Sequence, residues 1–127
     1  MKYISLLFIL FSFNINSQPK DSIPTLKSIR IDSLKGQSLH KFWLDVGSDA
    51  FNNPIKIPVL IAKGTQDKPV LGLTAAIHGN ELNGIPVIQD VFKTLDVNTL
   101  KGTLIAIPGI NPVSIFNEKR SFSDEVD

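Results

Sequence analysis

Residues 70–77 read VLGLTAAI, a nearly unbroken apolar run that halts at His78. Such a run suits a strand covered on both faces rather than one with a wet side. The next segment changes period. Ile85, Ile88, Val91, Phe92 and Leu95 recur at helical spacing and form one buried stripe. Pro86 must lie near the helix start, because only the first turn can spare an N–H. Asn83 is the candidate N-cap. Residues 100–108 (LKGTLIAIP) return to strand character. Strand, helix and strand in that order predict a crossover unit with parallel pairing.

Upstream, residues 37–46 (QSLHKFWLDV) alternate imperfectly and read as a strand. Residues 55–62 (IKIPVLIA) read as a second strand, and Pro58 suggests an edge or a bulge. Turn-rich stretches come after each of them, at residues 47–54 and 64–68. These two strands look like a hairpin added to the crossover unit. The expected fold class is therefore α/β, with a mixed β-sheet and a crossover helix, in residues 37–127. Residues 18–36 are rich in Pro, Ser and Lys and read as a mobile lead-in, with one short strand near Ile29 to Ile31. Asn111 and Pro112 open a loop or a short helix, and the last ten residues are polar.

The opening segment has a different character. Residues 3–13 (YISLLFILFSF) come after a single Lys2 and precede a polar stretch. The run is too short to cross a bilayer, which takes about 20 apolar residues. Basic start, apolar stretch and small residue at Ser17 read as a secretory signal peptide over residues 1–17. A buried N-terminal helix or strand is the competing reading. Export to the periplasm or outside the cell is expected, with no stable membrane anchor after signal removal.

Composition narrows the function. Lys and Arg total 13 and Asp and Glu total 12. No basic excess exists for a phosphate backbone to attract, so nucleic acid is not an expected partner. With 0 Cys there is no disulfide framework, thiolate metal site or Cys nucleophile.

The chemistry-bearing pattern is His78-Gly79-Asn80-Glu81, where the apolar run stops. In open α/β sheets ligands bind beyond the carboxyl ends of strands. Gly79 permits a tight turn between the two side chains. An imidazole and a carboxylate three residues apart across such a turn can address one ion. Both suit zinc, at roughly 2.0 to 2.2 Å. Glu81 also precedes the helix, whose positive end favours an ionised carboxylate. The plainer alternative makes His78 a hydrogen-bonded loop residue and Glu81 a helix-capping carboxylate. His40, the other histidine, lies on the upstream strand and reads as a strand-surface residue.

The blocks AAIHGNELNG, IPGINP and KRSFSDEVD together resemble the succinylglutamate desuccinylase/aspartoacylase family, which is related to the zinc carboxypeptidases. The resemblance covers roughly residues 70–127. It implies one Zn2+ per domain, with His78 and Glu81 as the first two ligands. It implies that Arg120 binds the substrate carbonyl oxygen and that Asp127 opens a further substrate motif. Asn111-Pro112 matches a family Asn-Pro pair and reads as architectural. The family's third zinc ligand and general base would lie beyond Asp127. On that reading these residues are the N-terminal portion of an exported amide hydrolase and are inactive alone. The implied substrates are N-acyl amino acids; a zinc carboxypeptidase acting on peptides and a non-catalytic binding module are the alternatives. One helix covers only one sheet face, so an uncovered apolar face and an open edge are expected to promote aggregation of the isolated chain.

Overall fold

The computed structural model describes residues 22–121. The proposed signal segment and Asp127 lie outside the described residues. The described chain folds into a five-stranded mixed sheet with helices. In chain order its elements are β1 (Thr25–Leu26), a 3-10 turn (Ile31–Ser33), β2 (Ser38–Ser48), β3 (Pro54–Lys63), β4 (Val70–Thr74), α1 (Gly84–Thr94), β5 (Thr103–Ile107) and α2 (Pro112–Phe116). The spatial strand order is β1-β2-β3-β5-β4.

The crossover unit is as expected. β4 and β5 pair in parallel, Val70 opposite Thr103 through Thr74 opposite Ile107, with α1 between them in sequence. The long hairpin of β2 and β3 joins through antiparallel pairing of β3 with β5. Pro58 is not on an outer strand, as the sequence suggests, yet it causes no loss. Trp43 N–H donates to Pro24 O at 2.9 Å on the far side of β2. The facing pair Trp43 and Pro58 is therefore a non-hydrogen-bonded one. The absent N–H of Pro58 points away from β2, to a level short of Leu60, where the pairing with β5 begins.

Two apolar clusters flank the sheet. On one face Ile88 and Phe92 of α1 pack against Ala62, Ala75, Leu104 and Ala106. On the other, Ile57, Val59 and Ile61 of β3 meet Phe42, Leu44, Ile105 and Ile107, with Ile29 and Leu34 laid over them. The described lead-in is therefore docked, which corrects the expectation of a mobile segment. Its strand is at Thr25–Leu26, and the region near Ile31 is a 3-10 turn instead. The physical reason is the second sheet face, which removes apolar area from water only when this segment crosses it. Lys63 anchors the same crossing. Its buried ammonium donates to Leu34 O at 3.1 Å and pairs with Asp67.

Two further expectations are corrected. Asn83 occupies the position before α1, but its backbone is already right-handed helical and its side chain makes no capping bond; capping needs an extended backbone there. The apolar run predicts a β4 covered on both faces. Instead β4 lies at the end of the described sheet, and Val70 and Leu71 are exposed.

The β2–β3 connection is held by one carboxylate. Asp49 Oδ1 accepts from the backbone N–H of Phe51 at 2.9 Å and of Asn53 at 2.8 Å, and Oδ2 accepts from Asn53 Nδ2 at 2.9 Å. These bonds, the Asn53 side chain first, hold the Asp49 carboxyl below its ordinary range. A lowered folded-state value stabilises the loop above the unfolded Asp value, and that stabilisation is lost as pH falls through the folded one. In an NMR titration the Asp49 midpoint is expected below that of an unperturbed Asp, with the Phe51 and Asn53 amides moving at the same midpoint. An ordinary midpoint would contradict it.

Candidate metal and substrate site

The carboxyl ends of the parallel pair β4 and β5 lie side by side, and the loops leaving them are bonded to each other. Ala75 N–H donates to Ile107 O, and Ile110 N–H donates to Ala75 O, both at 3.1 Å. After Ala75 the chain turns sharply. Ala76 has φ +54°, in the left-handed region. That conformation costs a non-glycine residue roughly 1–2 kcal/mol. It survives because the surrounding bonds over-determine it. No sequence signal marks Ala76, since alanine has no preference for that region.

The turn places His78 and Glu81 together. Glu81 N–H donates to His78 O at 3.1 Å, closing the turn. His78 Nδ1 lies 3.0 Å from Glu81 Oε2. A carboxylate only accepts, so Nδ1 carries the shared proton here. The other oxygen, Glu81 Oε1, accepts from Arg120 Nη1 at 2.7 Å. The His78 hydrogen bond first, and the Arg120 hydrogen bond second, hold the Glu81 carboxyl below its ordinary range. The residues singled out in the sequence, His78, Glu81 and Arg120, thus meet at one partly exposed place. His40 lies apart, on β2, with Nε2 3.0 Å from Lys35 O and its ring stacked on Phe42.

Helix α2 is the floor beneath this turn. Gly79 is buried against it: a β-carbon there would stand 2.1 Å from Ser114 C and 2.2 Å from Ser114 O. The sequence suggests that Gly79 serves an unusual backbone turn. Its φ is not positive; the close approach of α2 is the reason that glycine is required. Gly79 N–H also donates to Arg120 O at 3.2 Å, so the backbone that carries the arginine is bonded to the turn that carries His78. Asn111 joins the two loops. Its Oδ1 accepts from Ser114 N–H, capping α2, and its Nδ2 donates to Ile77 O, each at 3.1 Å.

The donor chemistry fits a divalent metal. Two ligands at zinc distances around a tetrahedral ion stand roughly 3.4 Å apart, and the two atoms here are 3.0 Å apart before any ion displaces the proton. Among the described residues no group of three His, Cys, Asp or Glu converges. The described chain therefore brings one imidazole and one carboxylate together beside a guanidinium. Also among the described residues, no helix is long and apolar enough to cross a membrane.

The catalytic-domain model of the succinylglutamate desuccinylase/aspartoacylase family matches residues 67–125. No curated protein matches the chain. Among solved structures, an aspartoacylase family protein from Mesorhizobium loti superposes with a TM-score of 0.64 at 25% identity, over 79% of this chain and 31% of that one. A succinylglutamate desuccinylase/aspartoacylase family protein from Shewanella amazonensis is 30% identical over 68% of this chain and 22% of its own, with a TM-score of 0.54. A product-bound ectoine utilization protein from Ruegeria pomeroyi shares the fold, with a TM-score of 0.62 at 22% identity, over 74% of this chain and 28% of that one. The chain spans less than a third of the length of each of these structures.

Proposed function

We propose that the chain, whose residues 67–125 match the catalytic-domain model of the succinylglutamate desuccinylase/aspartoacylase family, carries the first part of the active site of an exported, zinc-dependent amide hydrolase acting on N-acyl amino acids. The observation that carries the reading is the 3.0 Å approach of His78 Nδ1 to Glu81 Oε2 at the end of a parallel strand, with Arg120 on the second carboxylate oxygen.

His78 and Glu81 would hold the metal. A zinc ion held there would supply Lewis acidity toward the scissile carbonyl and a bound water with a pKa near neutrality. The chain's own residues do the rest of what is present. The turn at Ala76 and the packing of Gly79 on α2 orient both ligand side chains, so little ordering remains when the ion arrives. Arg120 stands beside Glu81 as a permanent positive charge. Its planar fork carries five donors. In the proposed reaction it would donate to the carbonyl oxygen as negative charge develops there. The described residues supply two metal donors, and residues 1–127 alone are expected to show no turnover. The apolar opening segment supports export to the periplasm or beyond.

The test uses the full-length protein. It is expected to bind one equivalent of zinc and to release free amino acid from N-acyl amino acids faster than it cleaves peptides. His78→Ala should weaken zinc binding by more than the roughly 10–100-fold typical of losing an outer-shell partner. Zinc retained at wild-type affinity by His78→Ala would refute the ligand assignment. Faster cleavage of peptides would move the enzyme to the carboxypeptidase class, and zinc-free, inactive protein would make it a binding module.

A further inference from the structure

The turn bearing the two metal donors is held at its start by a side chain that the metal reading does not use. We propose that Asn111 is a positioning residue for His78 and Glu81: its amide fixes the peptide that precedes His78 while capping the helix on which the turn rests. This role for Asn111 rests on the zinc reading of His78 and Glu81.

The strained residue Ala76 is followed by Ile77, whose carbonyl belongs to the peptide bond leading into His78. Asn111 Nδ2 donates to that carbonyl at 3.1 Å. Rotation of that peptide would swing the His78 side chain away from Glu81. On the near side the Ala75 N–H is bonded to Ile107, the last residue of β5, and its carbonyl to Ile110 in the loop that follows, and on the far side Gly79 N–H is bonded to Arg120 O. Those are backbone bonds that come with the fold. The Ile77 contact is made by a side chain, and only a side chain with a donor and an acceptor can make it while also capping α2. The acceptor, Oδ1, takes Ser114 N–H at 3.1 Å. Ser114 is the residue whose backbone Gly79 rests against. One amide group thus sets both the floor of the turn and its entrance.

Asn is the residue type that this double role requires. Asp and Ser cap helices about as well as Asn, but Asp has no donor when ionised, and Ser has neither the amide's second arm nor its reach. Substitutions therefore separate the two roles. Asn111→Asp and Asn111→Ser keep an acceptor for Ser114 N–H and lose the bond to Ile77 O. Asn111→Ala loses both.

The experiment measures zinc affinity, by competition with a chromogenic chelator, and melting temperature of the metal-free form, in the full-length protein. Asn111→Asp and Asn111→Ser are expected to melt close to wild type and to bind zinc about 10–100-fold more weakly, as for loss of a group that orients a ligand. Asn111→Ala should lose thermal stability as well. Wild-type zinc affinity in both capping-competent variants would overturn the proposal. So would affinity that falls only in step with melting temperature across the three. Wild-type protein that binds no zinc, or His78→Ala that binds it undiminished, would instead remove the reading on which the proposal stands.

Discussion

Gly79→Ala is expected to destabilise the full-length protein by about 3 kcal/mol or more, at the upper end of what overpacking costs. The added methyl would lie 2.1 Å from Ser114 C, 2.2 Å from Ser114 O and 2.5 Å from Ile115 N. All three are backbone atoms of α2, so no rotamer change relieves the contact. Either the turn lifts off α2 or α2 shifts away from β3, and interiors packed at crystal density resist both. The same displacement would stretch the Gly79 to Arg120 hydrogen bond, so zinc affinity should fall with stability. Gly72→Ala is the control. Gly72 lies on β4, and a β-carbon there would have nothing within 4 Å of it among the described residues. Its substitution is expected to stay within about 0.5 kcal/mol of wild type. Equilibrium urea denaturation of the two variants decides the matter. A Gly79→Ala protein as stable as the Gly72→Ala one would show that the turn does not depend on its contact with α2.

Arg120→Ala should reduce turnover of the zinc-loaded, full-length enzyme by about 10²–10³-fold, the loss typical of one oxyanion donor, with zinc content unchanged. The ion pair with Glu81 offers a competing account, in which Arg120 only steadies a ligand. Both partners are substantially exposed, with side-chain exposures of 48% and 55%. Exposed pairs contribute little to holding a structure together, so the pair is a weak reason for a large kinetic loss. Arg120→Lys separates the accounts. A lysine keeps the charge beside Glu81 but lacks the planar fork. If Arg120 serves the carbonyl oxygen, kcat stays low in the lysine variant while zinc content is intact. Recovery of kcat by lysine, or loss of zinc in the alanine variant, would assign Arg120 to the carboxylate instead.

How much of this is legible in the sequence depends on how local each determinant is. The change of period between residues 70–77 and Ile85 marks the crossover unit, because parallel strands need a connecting helix. The His78 and Glu81 spacing is visible because a three-residue turn at a strand end leaves few places for the two side chains to go. Arg120 is reached through family resemblance; no local pattern in a charged segment would select it. Its arrival at Glu81, 39 positions away, depends on α2 and the loop after it. The docking of the lead-in is hidden for a similar reason. Ile29 and Leu34 look like isolated apolar residues among polar ones, and only the uncovered face of β3 gives them somewhere to pack.

The amino-acid order alone settles the mixed α/β class, the crossover at β4, α1 and β5, and the candidate pair at the end of the first of those strands. Periodicity and turn chemistry act over a few residues, so they can be read without a fold. Tertiary structure decides the rest: the left-handed Ala76, the contact that demands glycine at position 79, the two-armed bond of Asn111, and the meeting of Arg120 with Glu81. Each of these is a contact between segments that become neighbours only when the parallel strands align their carboxyl ends, and no local pattern encodes that alignment.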